Sequence, residues 1–170
     1  GIDVGMNYST PLNLWGEDSL QLRGNYTYLI DYKRQDDPAA PVKDYAGTVG
    51  QSEHRASARA TYLKGPLSFS WQVNYLSKAI GDLDFVGNQK VNGNVLSLDD
   101  MNKVGDRWYH DIQARLDIGE DKEFGLYAGV DNLFNSKAPY LPGTPFSVGI
   151  TGTETAADVY DVFGRRFYVG

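Results

Sequence analysis

The segment LSFSWQVNYL, residues 67–76, alternates strictly. Leu67, Phe69, Trp71, Val73 and Tyr75 are apolar or aromatic, and Ser68, Ser70, Gln72 and Asn74 lie between them. A period of two marks an extended strand that shows its two faces to different environments. The same period recurs along the chain and predicts seven strands, at residues 1–9, 18–30, 52–63, 67–76, 107–118, 123–133 and 159–170. Residues 52–63 set Ala56, Ala58, Ala60 and Tyr62 on one face against Arg55, Ser57, Arg59 and Thr61 on the other. Residues 107–118 set Trp108, Ile112, Ala114, Leu116 and Ile118 against Tyr109, Asp111, Gln113, Arg115 and Asp117. LSLDDMNKV, residues 96–104, could add a turn of helix inside a loop.

The connections are unequal. TPLNLWGED, KGP and GEDK are short, whereas residues 31–50, 78–105 and 134–158 form long ones, and the two kinds alternate. In an up-and-down meander this places every long loop at one end of the sheet. Loops beyond about 12–15 residues usually carry function. The expected fold class is therefore all-β, an antiparallel up-and-down meander.

Alternation fits two architectures. In a soluble β-sandwich or small-barrel ligand-binding domain the apolar phase meets a core; in a membrane barrel it meets lipid. Three features favour the membrane. The strands are long against the usual ~5–6 residues, the loops are asymmetric, and Tyr8, Tyr26, Tyr28, Tyr62, Trp71, Tyr75 and Trp108 sit in the apolar phase, many near strand ends. An Arg turned to lipid at mid-membrane costs about 2–4 kcal/mol, so Arg55 and Arg59 must point away from it.

Composition changes this picture little. The 170-residue chain has a formal charge of -6, which argues against nucleic acid as a partner. It has no Cys, hence no disulfide framework or thiolate metal site. No apolar run reaches the ~18 residues of a transmembrane helix. Residues 1–9 already alternate and the chain ends on RRFYVG, so it reads as a piece of a longer protein.

GVDNLFNSKAPY, residues 129–140, resembles the late-barrel V-x-NLF-[DN]-x-x-Y pattern of TonB-dependent outer-membrane receptors, through Val130, Asn132, Leu133, Phe134, Asn135 and a displaced Tyr140. YDVFGRRFYVG is similar to that family's last strand. The resemblance implies a 22-stranded barrel plugged by an N-terminal domain, of which residues 1–170 are the last seven strands. The plug and the earlier strands would lie outside this chain, together with a few terminal residues. It further implies residence in the outer membrane of a Gram-negative bacterium, long loops extracellular and C-terminus periplasmic. The partners would be outer-membrane lipid, the plug, the TonB complex through an N-terminal region, and a small-molecule ligand. That ligand would be an oligosaccharide or a ferric siderophore, imported without covalent chemistry. The Gly/Thr-rich GTPFSVGITGTETAAD is similar to the carbohydrate-associated branch.

The candidate ligand-binding residues are the loop aromatics Tyr32, Tyr45, Tyr140 and Phe146, whose rings could stack on a sugar or siderophore. Arg23, Arg55, Arg59, Asp111 and Arg115 are the expected lumen-facing polar residues, the arginines ion-paired with Asp111, Asp117 or the plug. His54 and His110 share no ligand spacing and read as interfacial strand residues rather than haem or metal ligands. The loop acids Asp36, Asp37, Asp99 and Asp100 lack the EF-hand pattern. GITGTET lacks the G-K-[ST] of a phosphate-binding loop. No nucleophile, base and orienter can be assembled, so no enzyme, cofactor or metal is expected.

Overall fold

A computed structural model describes residues 1–35, 37–91, 94–97, 102–119, 123–141 and 154–170. In chain order its strands are β1 (Ile2–Pro11), β2 (Asp18–Tyr28), β3 (Lys33–Arg34), β4 (Lys43–Asp44), β5 (His54–Lys64), β6 (Leu67–Leu76), β7 (Ala79–Ile80), β8 (Asn88–Val91), β9 (Asn94–Ser97), β10 (Lys103–Val104), β11 (Arg107–Ile118), β12 (Phe124–Asp131) and β13 (Arg166–Val169). Seven of them form one antiparallel meander in the order β1-β2-β5-β6-β11-β12-β13. The six short strands pair among themselves inside the first two long connections, as β3-β4, β7-β10 and β8-β9.

Register keeps the two phases apart across the whole sheet. One row, Tyr8, Leu22, Ala60, Trp71, Ile112, Val130 and Phe167, crosses all seven strands on the apolar face. The neighbouring row on the opposite face runs Asn7, Arg23, Arg59, Gln72 and Asp111. A slip of one residue in any pair would bring an Arg or Asp among the aromatics, so register is strongly specified. Between β5 and β6, Lys64 pairs with Leu67 and Gly65 has φ +54°, the sign demanded at the first central position of a tight two-residue hairpin.

The apolar face is uncovered. Val4, Met6 and Tyr8 are 57%, 55% and 55% exposed, and Trp71 and Trp108 are 45% and 50% exposed. Burying such a side chain is worth about 1.5–3 kcal/mol, a gain this sheet does not collect from its own chain. The buried hydrophobic core lies elsewhere. Ala79, Val104, Leu141, Ala156 and Tyr160, backed by Val49, Leu76 and Ala138, cluster where the three long connections meet. Those connections are also cross-braced. Val49 N donates to Ile80 O at 2.9 Å and Ile80 N to Gly47 O at 2.8 Å. Lys43 Nζ reaches Asp84 Oδ1 at 2.5 Å, and Arg107 Nε donates to Lys137 O at 3.2 Å.

Three expectations need correction. The strand expected at 159–170 is extended only over Arg166–Val169. Asp161 Oδ1 accepts the Phe163 amide at 2.9 Å and Gly164 has φ +73°, so the preceding segment turns instead of pairing. The strand expected at 123–133 stops at Asp131, because Asn132 adopts φ +51°. The strand expected at 18–30 ends at Tyr28, and Leu29 N bonds to Glu53 O outside the ladder. Of the suggested helical turn at 96–104, Leu96 and Ser97 belong to β9, residues 98–101 lie outside the described residues, Asn102 is helical, and Lys103 and Val104 form β10.

Candidate functional site

Polar chemistry concentrates on the sheet face opposite the aromatics, towards the long-loop end. Its centre is Asn132, which is 2% exposed and follows directly on β12. An Asn tolerates the left-handed conformation better than most residues because its short amide bonds locally. Here Asn132 Oδ1 accepts from Ser136 N at 2.7 Å, and Nδ2 donates to Ser136 O at 2.9 Å and to Asp161 Oδ2 at 2.9 Å. Its backbone N–H donates to Asp111 Oδ1 at 2.8 Å. The chain thus turns out of β12 and is tied at once to β11 and to the third long connection.

From that centre a relay of side chains crosses the face. Arg59 Nε donates to Gln72 Oε1 at 2.9 Å, Gln72 Nε2 to Asn74 Oδ1 at 3.2 Å, and Asn74 Nδ2 to Asp111 Oδ2 at 3.5 Å. Beyond Asn132, Arg166 bridges Asp131 and Asp161 at 3.4 and 3.5 Å. The Tyr109 hydroxyl accepts the Asp161 N–H at 3.3 Å. Asn74, Tyr109, Asp111, Asp131, Asp161 and Arg166 line a cavity of about 400 Å³. Its carboxylates, amides and phenol offer donors and acceptors on several sides, a set suited to a hydroxyl-rich ligand.

The other expected polar residues take different partners. Arg23 stands directly opposite Arg59 in the register and makes no hydrogen bond or ion pair among the described residues. Like charges directly opposite are destabilising unless an anion intervenes. The Arg55 guanidinium donates to the Gly50 carbonyl, and Arg107 donates to the carbonyls of Lys137, Gly105 and Asp106. Arg115 pairs with Asp117 at 2.7 Å.

The loop aromatics are brought together only in part. Tyr32 and Tyr45 meet at the mouth of the β3-β4 hairpin, where Tyr45 N donates to Tyr32 O at 2.9 Å. The Arg34 guanidinium lies 4.7 Å above the Tyr45 ring. Asp44 Oδ1 accepts the amides of Tyr32 and Ala46, and these bonds hold its carboxyl below the usual carboxylate range. Tyr140 is 66% exposed in the third connection, next to the buried Leu141. Phe146 lies outside the described residues, as do Asp36, Asp99 and Asp100. Burial pushes the phenol of Tyr160, beneath the loops, above its ordinary range.

Both histidines lie on the apolar face at the long-loop end. His54 stacks on Tyr28 at 4.8 Å and its Nδ1 is 2.8 Å from the Tyr26 hydroxyl. His110 accepts from Trp71 Nε1 at 3.2 Å and meets the Phe134 ring edge-on at 4.9 Å. They extend the aromatic belt on that side.

Sequence reasoning missed Tyr109, Asp131, Asn132 as a side chain, Asp161 and Arg166. The Asp/Asn-rich turn DNLFN and the lone Asp of YDVFG were the available signals.

The described residues hold no helix long and apolar enough to cross a membrane, which has no bearing on crossing by strands. A family model described as TonB dependent receptor-like, beta-barrel matches residues 1–133. The match spans the first six long strands and stops at Leu133, so it rests on those strands rather than on the complete GVDNLFNSKAPY motif. No curated protein and no solved structure matches the chain.

Proposed function

The chain belongs to the TonB-dependent receptor β-barrel family, one of outer-membrane transport, and from that premise we propose that it supplies the last seven strands of a 22-stranded plugged barrel. The observation that carries this is the open apolar face, continuous across seven strands. An 11-residue strand spans ~26 Å of membrane normal at a tilt of about 45°, close to the ~25 Å apolar band of such barrels. The polar face then lines the lumen, the long loops are extracellular, and the C-terminal end of β13 is periplasmic. Arg23 and Arg59, facing one another without a carboxylate, suit an acidic stretch of the plug.

The imported ligand is an oligosaccharide held at the extracellular loops, with Tyr32, Tyr45, Tyr140 and Phe146 stacking on sugar rings. The hydroxyl-matching cavity of Asp111, Asp131, Asp161, Tyr109 and Arg166 supports this class, because its three carboxylates outnumber the one guanidinium and disfavour an anion. A ferric siderophore is the second reading. It is favoured by Arg55 and Arg107, which flank Leu76 in the register and donate only to carbonyls.

Residues 1–170 contain no Cys, so single cysteines can be placed here in a full-length receptor whose remaining residues are kept free of Cys by substitution. Phe69→Cys and Ser70→Cys are neighbours on opposite faces. In intact outer membranes an aqueous maleimide is expected to label Ser70→Cys and spare Phe69→Cys. Equal labelling, or the reverse, would sink the barrel reading. Binding of neutral oligosaccharides against ferric siderophores, by calorimetry on detergent-purified receptor, separates the two ligand classes. Tyr32→Ala combined with Tyr45→Ala is expected to weaken binding of the favoured class about tenfold or more.

A further inference from the structure

β12 carries Gly125-Leu126-Tyr127-Ala128-Gly129 and β13 carries Tyr168-Val169, followed by Gly170. In the register Gly129 stands opposite Tyr168. Tyr127 stands opposite Gly170, each backbone amide bonding the other's carbonyl at 2.7 and 2.9 Å. Each tyrosine therefore faces a glycine. A Cβ at Gly129 would fall inside the Tyr168 phenol and 2.7 Å from Ile112 O, and a Cβ at Gly170 would fall inside the Tyr127 phenol. The two rings lie side by side, centroids 6.2 Å apart and tilted by 54°. Beside them Gly125 is roofed by the Arg115 guanidinium, whose Cζ would lie 2.9 Å from an added Cβ.

We propose that Tyr127/Gly170 and Tyr168/Gly129 form a reciprocal clasp that sets the register of the last strand. Glycine inside a strand weakens it unless something approaches closely, and here an aromatic ring covers each one, a known way of rescuing glycine in sheets. The clasp also works against wrong pairings. A slip of two residues one way sets Tyr168 against Tyr127 and leaves Gly170 opposite Gly125. A slip the other way sets Tyr168 against Asp131 and leaves Gly170 opposite Gly129. Only the observed register gives each ring a glycine. β13 needs this help because its ladder with β12 holds only four pairs, five with Tyr127/Gly170, against ten between β1 and β2. It also follows the long third connection, which leaves its register unconstrained by a tight turn.

Ala128 and Val169 form the neighbouring pair, of the type without mutual hydrogen bonds, whose side chains approach most closely. Cysteines placed at both, in the full-length chain, report the register by disulfide yield. Gly170→Tyr alone is expected to lower that yield about fivefold and to raise it for Val130→Cys with Val169→Cys, the register that sets the new ring against Gly129. Tyr127→Gly combined with Gly170→Tyr gives both rings a glycine in the parental register and again two residues along, where they face the glycine that replaces Tyr127 and Gly125. It is therefore expected to recover about half the parental yield and to pass the remainder to Leu126→Cys with Val169→Cys. Parental yield in Gly170→Tyr alone would overturn the clasp. So would a double variant as poor as the single, since folding failure unrelated to the ring–glycine match would not be rescued. The crosslink reads strand pairing rather than uptake, so its outcome is separate from that of the transport reading.

Discussion

The long-strand sheet and the cap of long loops solve opposite problems. The sheet satisfies its backbone through ladders of up to eleven pairs, yet leaves its aromatic face open. The cap has strands of only two to four residues and little regular ladder, yet it holds the buried hydrophobic cluster, with Leu141 and Ala156 fully buried. The sheet is built to be finished by its surroundings, with lipid on one side and lumen on the other. The cap is built to hold its own shape in water. Alternation serves the first purpose because it sends unlike residues to unlike solvents. A small core serves the second because loop backbone needs fixed partners.

The sharpest break of that contrast is Leu141→Ala. Emptying a fully buried site is expected to cost the cap about 2–5 kcal/mol, seen as faster proteolysis in the long loops. The sheet should keep its heat-modifiable mobility on gels; loss of both together would show that cap and sheet are one cooperative unit. Next comes a pair of charge insertions on one strand. Ala58→Arg, on the apolar face, is expected to cost about 2–4 kcal/mol in the bilayer. Ser57→Arg, one residue away on the polar face, is expected to stay within about 0.5 kcal/mol. Unfolding titrations in lipid vesicles would measure both, and similar costs would erase the distinction between the faces.

The joint between the two regions is Asn132. Asn132→Gly keeps the backbone conformation but removes the side-chain bonds to Ser136 and Asp161, an expected loss of about 1–3 kcal/mol. Asn132→Ala is expected to lose about 1–2 kcal/mol more, because alanine resists positive φ. A smaller loss for alanine than for glycine would show that the hydrogen bonds, not the turn, dominate there.

The smallest expected effect is that of pH on the first long loop. Asp44 has a folded pKa below its ordinary 3.8, owing first to the Tyr32 amide and then to that of Ala46. Its contribution is therefore complete above that ordinary value and is lost as pH falls through the lower folded value. Lys43 is raised above 10.5, first by its bond to Asp84, so its contribution is complete below that value and fades as pH rises through the folded one. Protease sensitivity of residues 31–50 should accordingly stay flat between these limits and increase outside them. Asp44→Asn should remove the acid limb; an acid limb unchanged in that variant would place the titration elsewhere.

The strands and their phase were legible because period two is a local property, visible in five or six consecutive residues. Strand 67–76 was located to the residue, and its neighbours to within a few. The last strand was overextended because VYDVFG carries strand-like residues, while Asp161 is drawn away to Asn132 and Arg166 across the chain. The pairing of Tyr32 with Tyr45 depends on the β3-β4 hairpin, whose two-residue strands leave no periodic trace.

By itself, then, the sequence determined which residues face apart, how many long strands there are, and at which end the long loops gather. Each of these follows from alternation and spacing along one dimension. Only the tertiary structure decided that the loops share a core, that Asn132 ties three segments together, and that two tyrosines cover two glycines across β12 and β13. These joins link residues far apart in sequence through buried hydrogen bonds, packed loops and cross-strand register, and no short window of the chain contains both partners.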